Sequence, residues 1–317
     1  MLRTQVGPLS LHNPVMVASG TFGHEDEMAA FMDLKKPGAV VLKTVTLNPR
    51  IGNPPPRIVE VPGGILNSIG LPNEGIDHLI AVTRPRMKGR CSALIANVAG
   101  ERIHEFGVIG ERLAACEKED PQGFAALELN LSCPNVEGGG FPFAKRPELA
   151  EKAVRLVRDQ VSWPIFAKLS PNVADPTEIA HACRQGGADG FTLINTALGM
   201  RLDWKTGRTL LGGRSGGLSG PALKPIALYI VHLVYAATRM PIIGAGGIET
   251  AEDVMEFLAA GACAVQVGTA TFRRPTAILD ILERLPGRLE EAGAARVEDH
   301  VGIAHRVRGE DSAGGAR

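Results

Sequence analysis

Aromatic residues are scarce in this chain: Phe, Trp and Tyr make up 4% of 317 residues. That argues against an aromatic-rich β-sandwich, whereas 38 glycines suit a fold with many tight strand-to-helix turns. Net charge is absent too. Lys plus Arg and Asp plus Glu each number 34, so no global basic field draws nucleic acid or an anionic membrane, and a small molecule is the expected partner. No uninterrupted apolar run reaches the length of a membrane span. The opening "MLRTQVGPLSLHNPVMVASG" lacks a basic start followed by a long apolar core, so no secretory signal is expected and a cytoplasmic location is.

Cysteine is sparse and unpatterned. The five residues, at 91, 116, 133, 183 and 263, form no C-x-x-C pair and no zinc or iron–sulfur spacing, so reduced thiols and no metal cluster in this chain are expected. No G-x-G-x-x-G follows a first strand, which leaves a Rossmann NAD site unsupported. The eight histidines fall in loops or helices away from strand ends, which argues against a catalytic histidine.

What is present is a repeated alternation. Short apolar runs, each followed by a polar or glycine turn and a helix-length stretch, occur eight times: 15–19, 39–43, 92–97, 126–131, 164–169, 189–194, 241–244 and 263–267. Helices are predicted over "RPELAEKAVRLVRDQ", over "DPTEIAHACRQGG" with Asp175 as N-cap and Gly186 as stop, and over "TAEDVMEFLAAGA" with Thr250 as N-cap and Gly261 as stop. The expected fold is α/β, a (β/α)8 TIM barrel with two long insertions, 44–91 and 195–240, on the C-terminal face of the strands, where barrel enzymes place their sites. Residues 1–305 are expected to form one domain, and 306–317 a disordered tail.

Polar residues stand at nearly every strand end: Ser19, Lys43 with Thr44, Asn97, Asn130, Lys168, and Asn195 with Thr196. The glycine turns 244–247 and 268–269 follow strands seven and eight, where this architecture binds phosphate, though each is also readable as a simple tight turn. Lys43 and Lys168 each end an apolar strand. An ammonium there is costly without an anionic or electron-rich partner, and a flavin would supply one. In the first insertion, "GGILNSIGLPNEG" offers Asn67, Gly70 and Asn73 either to a planar substrate with imide or carboxylate groups or to Asx-turns. Cys133, in "NLSCPNVEGGG", is readable alone as a reactive thiol or as a small buried hydrophobe.

As a set, "NPVMVASGTFG", "GAVVLKTVTLNPRIGNPPPRI", "ILNSIGLPNEG", "NLSCPNVEGGG", "AKLSPN", "LINTALGM", "GGLSGPALKPIAL", "PIIGAGGIETAEDV" and "AVQVGTA" resemble the class 1 dihydroorotate dehydrogenases, from about Leu9 to about Arg274. The resemblance implies an FMN-binding barrel that oxidises dihydroorotate to orotate in pyrimidine biosynthesis. "GTFG" and "GNPPPR" look like class 1B, which implies NAD as final acceptor, a partner subunit carrying FAD and [2Fe–2S], and a homodimer within a heterotetramer. "LNSIGLPN" is nearer the fumarate-dependent class 1A. By the same resemblance Ser19, Lys43, Thr44, Asn97, Asn130, Lys168, Ile194, Gly220, Gly246, Gly247, Gly268 and Thr269 fall to the flavin. Lys43, Asn67, Ser68, Ile69, Gly70, Leu71, Asn130, Asn195 and Thr196 fall to the substrate, and Cys133 to the catalytic base. A dihydropyrimidine dehydrogenase-like flavoenzyme is the other enzyme reading, and a non-enzymatic scaffold the rival from a different class.

Overall fold

The apolar runs become strands because their β-branched and aliphatic side chains can be buried on both faces at once, inside the barrel and beneath the helices. In the computed structural model, which describes residues 1–23, 26–132 and 142–306, the eight predicted runs are the eight barrel strands. These are β1 (Val15–Val17), β2 (Val40–Val41), β3 (Leu94–Val98), β4 (Ala126–Asn130), β5 (Ile165–Leu169), β6 (Gly190–Leu193), β7 (Ile242–Ala245) and β8 (Ala264–Val267). All neighbours are parallel. The ring closes where β8 pairs with β1, Val265 opposite Val15.

The predicted helices form at Pro147–Arg158, Pro176–Gln185 and Ala251–Ala260. Asp175 accepts from the Thr177 amide, and Thr250 and Asp253 make a reciprocal capping box. One stop moves by a residue: Gly186 keeps right-handed backbone, φ −70°, and the left-handed turn falls on Gly187, φ +96°. The segment Pro221–Thr238, with Lys224 as its one formally charged residue, is by length and mean hydropathy (1.2) long enough to cross a membrane. Here it contains the helix between β6 and β7, which turns Ala227, Ile230, Val231 and Val234 inward.

The two long insertions do not form separate walls. Ile58–Val61 and Gly64–Asn67 from the first join Ala197–Gly199 and Gly216–Ser219 from the second in one four-stranded antiparallel sheet. Its seam pairs Asn67 with Gly217 and Ile65 with Ser219.

Alternation along the strands sorts the barrel interior into levels. Met16, Val41, Ile95, Ala126, Phe166 and Ala264 pack with Val6, Leu9 and Leu11 of an N-terminal hairpin into an apolar plug. Two residues further along each strand, on the same face, come Ala18, Lys43, Asn97, Glu128, Lys168 and Gln266. The plug therefore forces the next level to be the floor of whatever binds above it. The tail from 307 onward lies outside the described residues.

Candidate active site

The floor is built around a carboxyl group. Glu128, 1% exposed, accepts at Oε1 from Asn97 Nδ2 (2.5 Å) and Lys168 Nζ (3.2 Å). At Oε2 it accepts from Thr192 Oγ1 (2.7 Å) and Gln266 Nε2 (2.5 Å). Strand register makes this possible: Asn97 is the cross-strand partner of Glu128, and Thr192 that of Lys168.

Above the floor opens a cavity of about 810 Å³, within the size range of small-molecule and cofactor sites. On one side stand Ser19, Lys43, Thr44, Asn130 and Lys168 from the strand ends. Asn130 holds this group together: its Nδ2 donates to Thr44 Oγ1 (3.4 Å), and its Oδ1 accepts from Asn195 Nδ2 (3.3 Å) and the Ser132 amide (3.2 Å). On the far side lie Gly220, Gly246, Gly247, Gly268 and Thr269, the last donating to Ser219 Oγ at 2.8 Å. The inserted sheet contributes Asn67, Ser68, Ile69, Gly70 and Leu71, which with Ile194, Asn195 and Thr196 complete the lining. The register of this sheet is pinned by a side-chain bond as well, from Asn67 Nδ2 to the Gly217 carbonyl (3.1 Å).

The structure thus brings nearly all the sequence-predicted residues to one cavity. Asn97 is different: it is fully buried below the lining and is spent on Glu128 through its Nδ2. Asn73 also serves the loop rather than the cavity. It accepts from the Thr46 and Gly75 amides and donates to Thr46 Oγ1 and the Leu71 carbonyl. Cys133 lies outside the described residues.

Sequence reasoning missed Glu128, Thr192 and Gln266, and in the lining Asn172, whose side chain donates to the Thr196 carbonyl (3.1 Å) and accepts from the Leu198 amide (2.8 Å). A signal for Glu128 existed: a charged residue inside a strand buried on both faces must have partners.

Electrostatics separates the groups further. Burial pushes the Lys43 ammonium below the usual lysine range, and the Arg57 guanidinium adds to this against the opposing pull of Glu27. An anionic ligand group beside Lys43 would favour its charged form. The described cysteines are poor nucleophiles: burial pushes Cys91 up to about 11 and raises Cys116, Cys183 and Cys263 as well.

The residues fit a flavin phosphate ligand on three observations. Asn97 Oδ1 is buried without a hydrogen-bond partner, an acceptor that a ring N–H could satisfy. Gly246 and Gly247 hold φ of +132° and +72°, backbone suited to glycine that lets a ligand approach the chain closely. Gly220, φ +103°, would place a Cβ 2.7 Å from Gly64 Cα, so the turn residue after the Gly216–Ser219 strand is also restricted to glycine.

Comparison with known proteins agrees with this geometry. The family model described as dihydroorotate dehydrogenase matches residues 1–289. The chain belongs to the dihydroorotate dehydrogenase family. A Bacillus pumilus (strain SAFR-032) protein named dihydroorotate dehydrogenase B (NAD(+)), catalytic subunit, is 46% identical over 302 residues, which cover 95% of this chain and 96% of the relative. A Geobacillus kaustophilus (strain HTA426) protein of the same name is 46% identical over 301 residues, 95% of each chain. Among solved structures, the Eimeria tenella dihydroorotate dehydrogenase in complex with ferulenol superposes with a TM-score of 0.79 at 25% identity, covering 96% of this chain and 89% of that one. The dihydroorotate dehydrogenase assignment and the closed eight-stranded barrel both match the reading from sequence.

Proposed function

We propose that this chain is the catalytic subunit of an NAD-linked dihydroorotate dehydrogenase. It oxidises (S)-dihydroorotate to orotate in de novo pyrimidine (UMP) biosynthesis, with one FMN in the cavity. Electrons pass to NAD through a separate subunit carrying FAD and [2Fe–2S]. The observation that carries this reading is the two-sided cavity. A glycine-walled cradle after β6, β7 and β8 suits a phosphate, while amides and a desolvated lysine stand together under an inserted sheet and suit a small anionic imide.

In this reading Gly220, Gly246, Gly247, Gly268 and Thr269 take the phosphate. Ser19, Thr44, Asn130, Lys168 and Ile194 meet the flavin ring, with Asn97 reaching it from below. Lys43 pairs with the substrate carboxylate. Asn67, Asn130 and Asn195 present donors and acceptors to the ring amides, and Ser68, Ile69, Gly70, Leu71 and Thr196 close over it and exclude water. FMN, when bound, supplies the acceptor for the hydride that leaves the substrate. Cys133, as thiolate, takes the proton from the ring carbon next to the carbonyl, and the serine and asparagines around it in the sequence support its ionisation.

The relatives are named as catalytic subunits, which supports a separate electron-transfer partner. The assembly we assign is a homodimer of this chain within a heterotetramer, in the cytoplasm. The test is anaerobic mixing of the purified chain with dihydroorotate. Bleaching of the flavin absorbance is expected, with slow re-oxidation by NAD until the partner is added. A yellow protein that dihydroorotate does not bleach would refute the substrate. Fast NAD reduction by this chain alone would refute the partner.

A further inference from the structure

We propose that Glu128 is a positioning residue that fixes Lys168 beneath the ring site and, by balancing its charge, lowers the reduction potential of the bound flavin; this rests on the flavin reading above. Both carboxyl oxygens of Glu128 are fully engaged. Its four donors come from four other strands, β3, β5, β6 and β8. An ionised carboxyl accepts at about four lone-pair sites and donates at none. Each of these sites here meets a donor, so the ring of contacts is built for the carboxylate.

Lys168, 7% exposed, has three N–H donors. One goes to Glu128 Oε1 at 3.2 Å and one to Gln266 Oε1 at 3.3 Å. The third remains for a ligand in the cavity that Lys168 and Gln266 both line. The ammonium is thereby aimed by two acceptors on opposite sides of the barrel interior. The carboxylate also orients Asn97, whose Nδ2 it engages while Oδ1 stays unpartnered.

Charge placement follows. A flavin gains negative charge on reduction, and a nearby ammonium favours that form. With Glu128 at hydrogen-bond distance, the pair presents the site with less positive potential than a lone lysine would. The protein therefore keeps the flavin a better electron donor than Lys168 alone would allow, as suits a chain that must hand electrons on.

Glu128→Gln preserves shape and removes the charge, and the Thr192 hydroxyl can turn to accept from the new amide, while Gln266 keeps its Oε1 on Lys168. The measurement is the potential of bound flavin in the reconstituted protein, wild type against Glu128→Gln at one pH. The ratio of reduced-flavin to oxidised-flavin affinity is expected to rise about tenfold, a positive shift of about 30 mV for two electrons. Bound flavin with an unchanged or more negative potential in Glu128→Gln overturns the proposal and leaves the flavin reading intact. Wild-type protein that takes up no FMN overturns the flavin reading itself. Should Glu128→Gln not fold, the double variant Glu128→Gln/Lys168→Met is compared with it by folded yield without ligand. The double is expected to recover much of the loss, because removing both partners is milder than stranding one. A double variant that folds no better than Glu128→Gln would overturn the coupling.

Discussion

Replacing Gly247 with alanine tests whether the turn after β7 is a ligand cradle. Its φ of +72° is left-handed, where an L side chain costs roughly 1–2 kcal/mol. A Cβ there would sit 2.8 Å from the Gly220 carbonyl oxygen, 2.8 Å from Lys224 Cβ and 2.9 Å from the Lys224 amide nitrogen. Two of these are backbone atoms that cannot swing aside, and Lys224 is tied to Asp253 (2.6 Å) and Glu256 (2.9 Å). Crowding of this kind adds about 1–3 kcal/mol. Alanine regains roughly 0.4–1 kcal/mol by restricting the unfolded chain, for a net loss of roughly 1–4.6 kcal/mol, centred near 3. At about 2 °C per kcal/mol for a chain of this size, Tm should fall by roughly 2–9 °C, centred near 6 °C. Gly20→Ala is the control: its φ is +84° but nothing lies within 4 Å of its Cβ, so only the conformational cost, about 1 kcal/mol, applies. Fluorescence titration then separates cradle from scaffold. Gly247→Ala should lose at least about tenfold in FMN affinity and much less in affinity for riboflavin, which lacks the phosphate. Equal losses for the two ligands, or a Tm matching that of Gly20→Ala, would refute the reasoning.

Three other outcomes are expected. Asn73→Ala removes the four bonds that anchor the loop carrying Leu71; about 2–4 kcal/mol of stability should go, and KM for dihydroorotate should rise more than kcat falls, whereas steady-state kinetics with KM unchanged would separate that loop from substrate. Cys133→Ser should slow flavin reduction by dihydroorotate by about 100-fold or more and move its pH dependence upward while flavin stays bound; stopped-flow traces matching wild type would remove Cys133 from the mechanism. Burial holds His300 below the usual histidine range, opposed by a hydrogen bond with the Met255 backbone. The unfolded chain therefore takes up the proton first as pH falls. His300 stability should be intact above about pH 6.5 and decline below it. His300→Gln should flatten that part of the Tm–pH curve, and parallel wild-type and variant curves would contradict the assignment.

The barrel was legible because each strand is a short apolar run bounded by turn residues, a local pattern. The mouth residues were legible because they stand at predictable strand ends, as Lys43, Asn130 and Lys168 do. The pairing of the two insertions was not. Asn67 and Gly217 meet across 150 positions of sequence, and nothing in "GGILNSIG" or "GGLSG" specifies the other as partner. Glu128 escaped for a different reason: in "ALELN" it reads as one polar residue among aliphatics, and its role exists only once four other strands close around it. Asn97 shows the limit of reading position alone, since a strand-end amide can serve the network beneath a site as well as its lining. The left-handed turn at Gly187 rather than Gly186 is the ordinary one-residue uncertainty of a helix end.

The inserted sheet has a bearing on how the family's specificity can be altered. Because Gly64–Asn67 pairs directly with Gly216–Ser219, the strand leading into the 68–71 loop and the segment leading to Gly220 share one hydrogen-bond ladder. A chimera that transplants residues 58–71 from a relative without residues 197–220 would bring a foreign edge to that ladder, and mutational coupling between the two stretches should be strong even though neither is near the other in the chain. For recombination and for engineering alike, they are one heritable module, and the crossover points that preserve activity are expected to fall outside both.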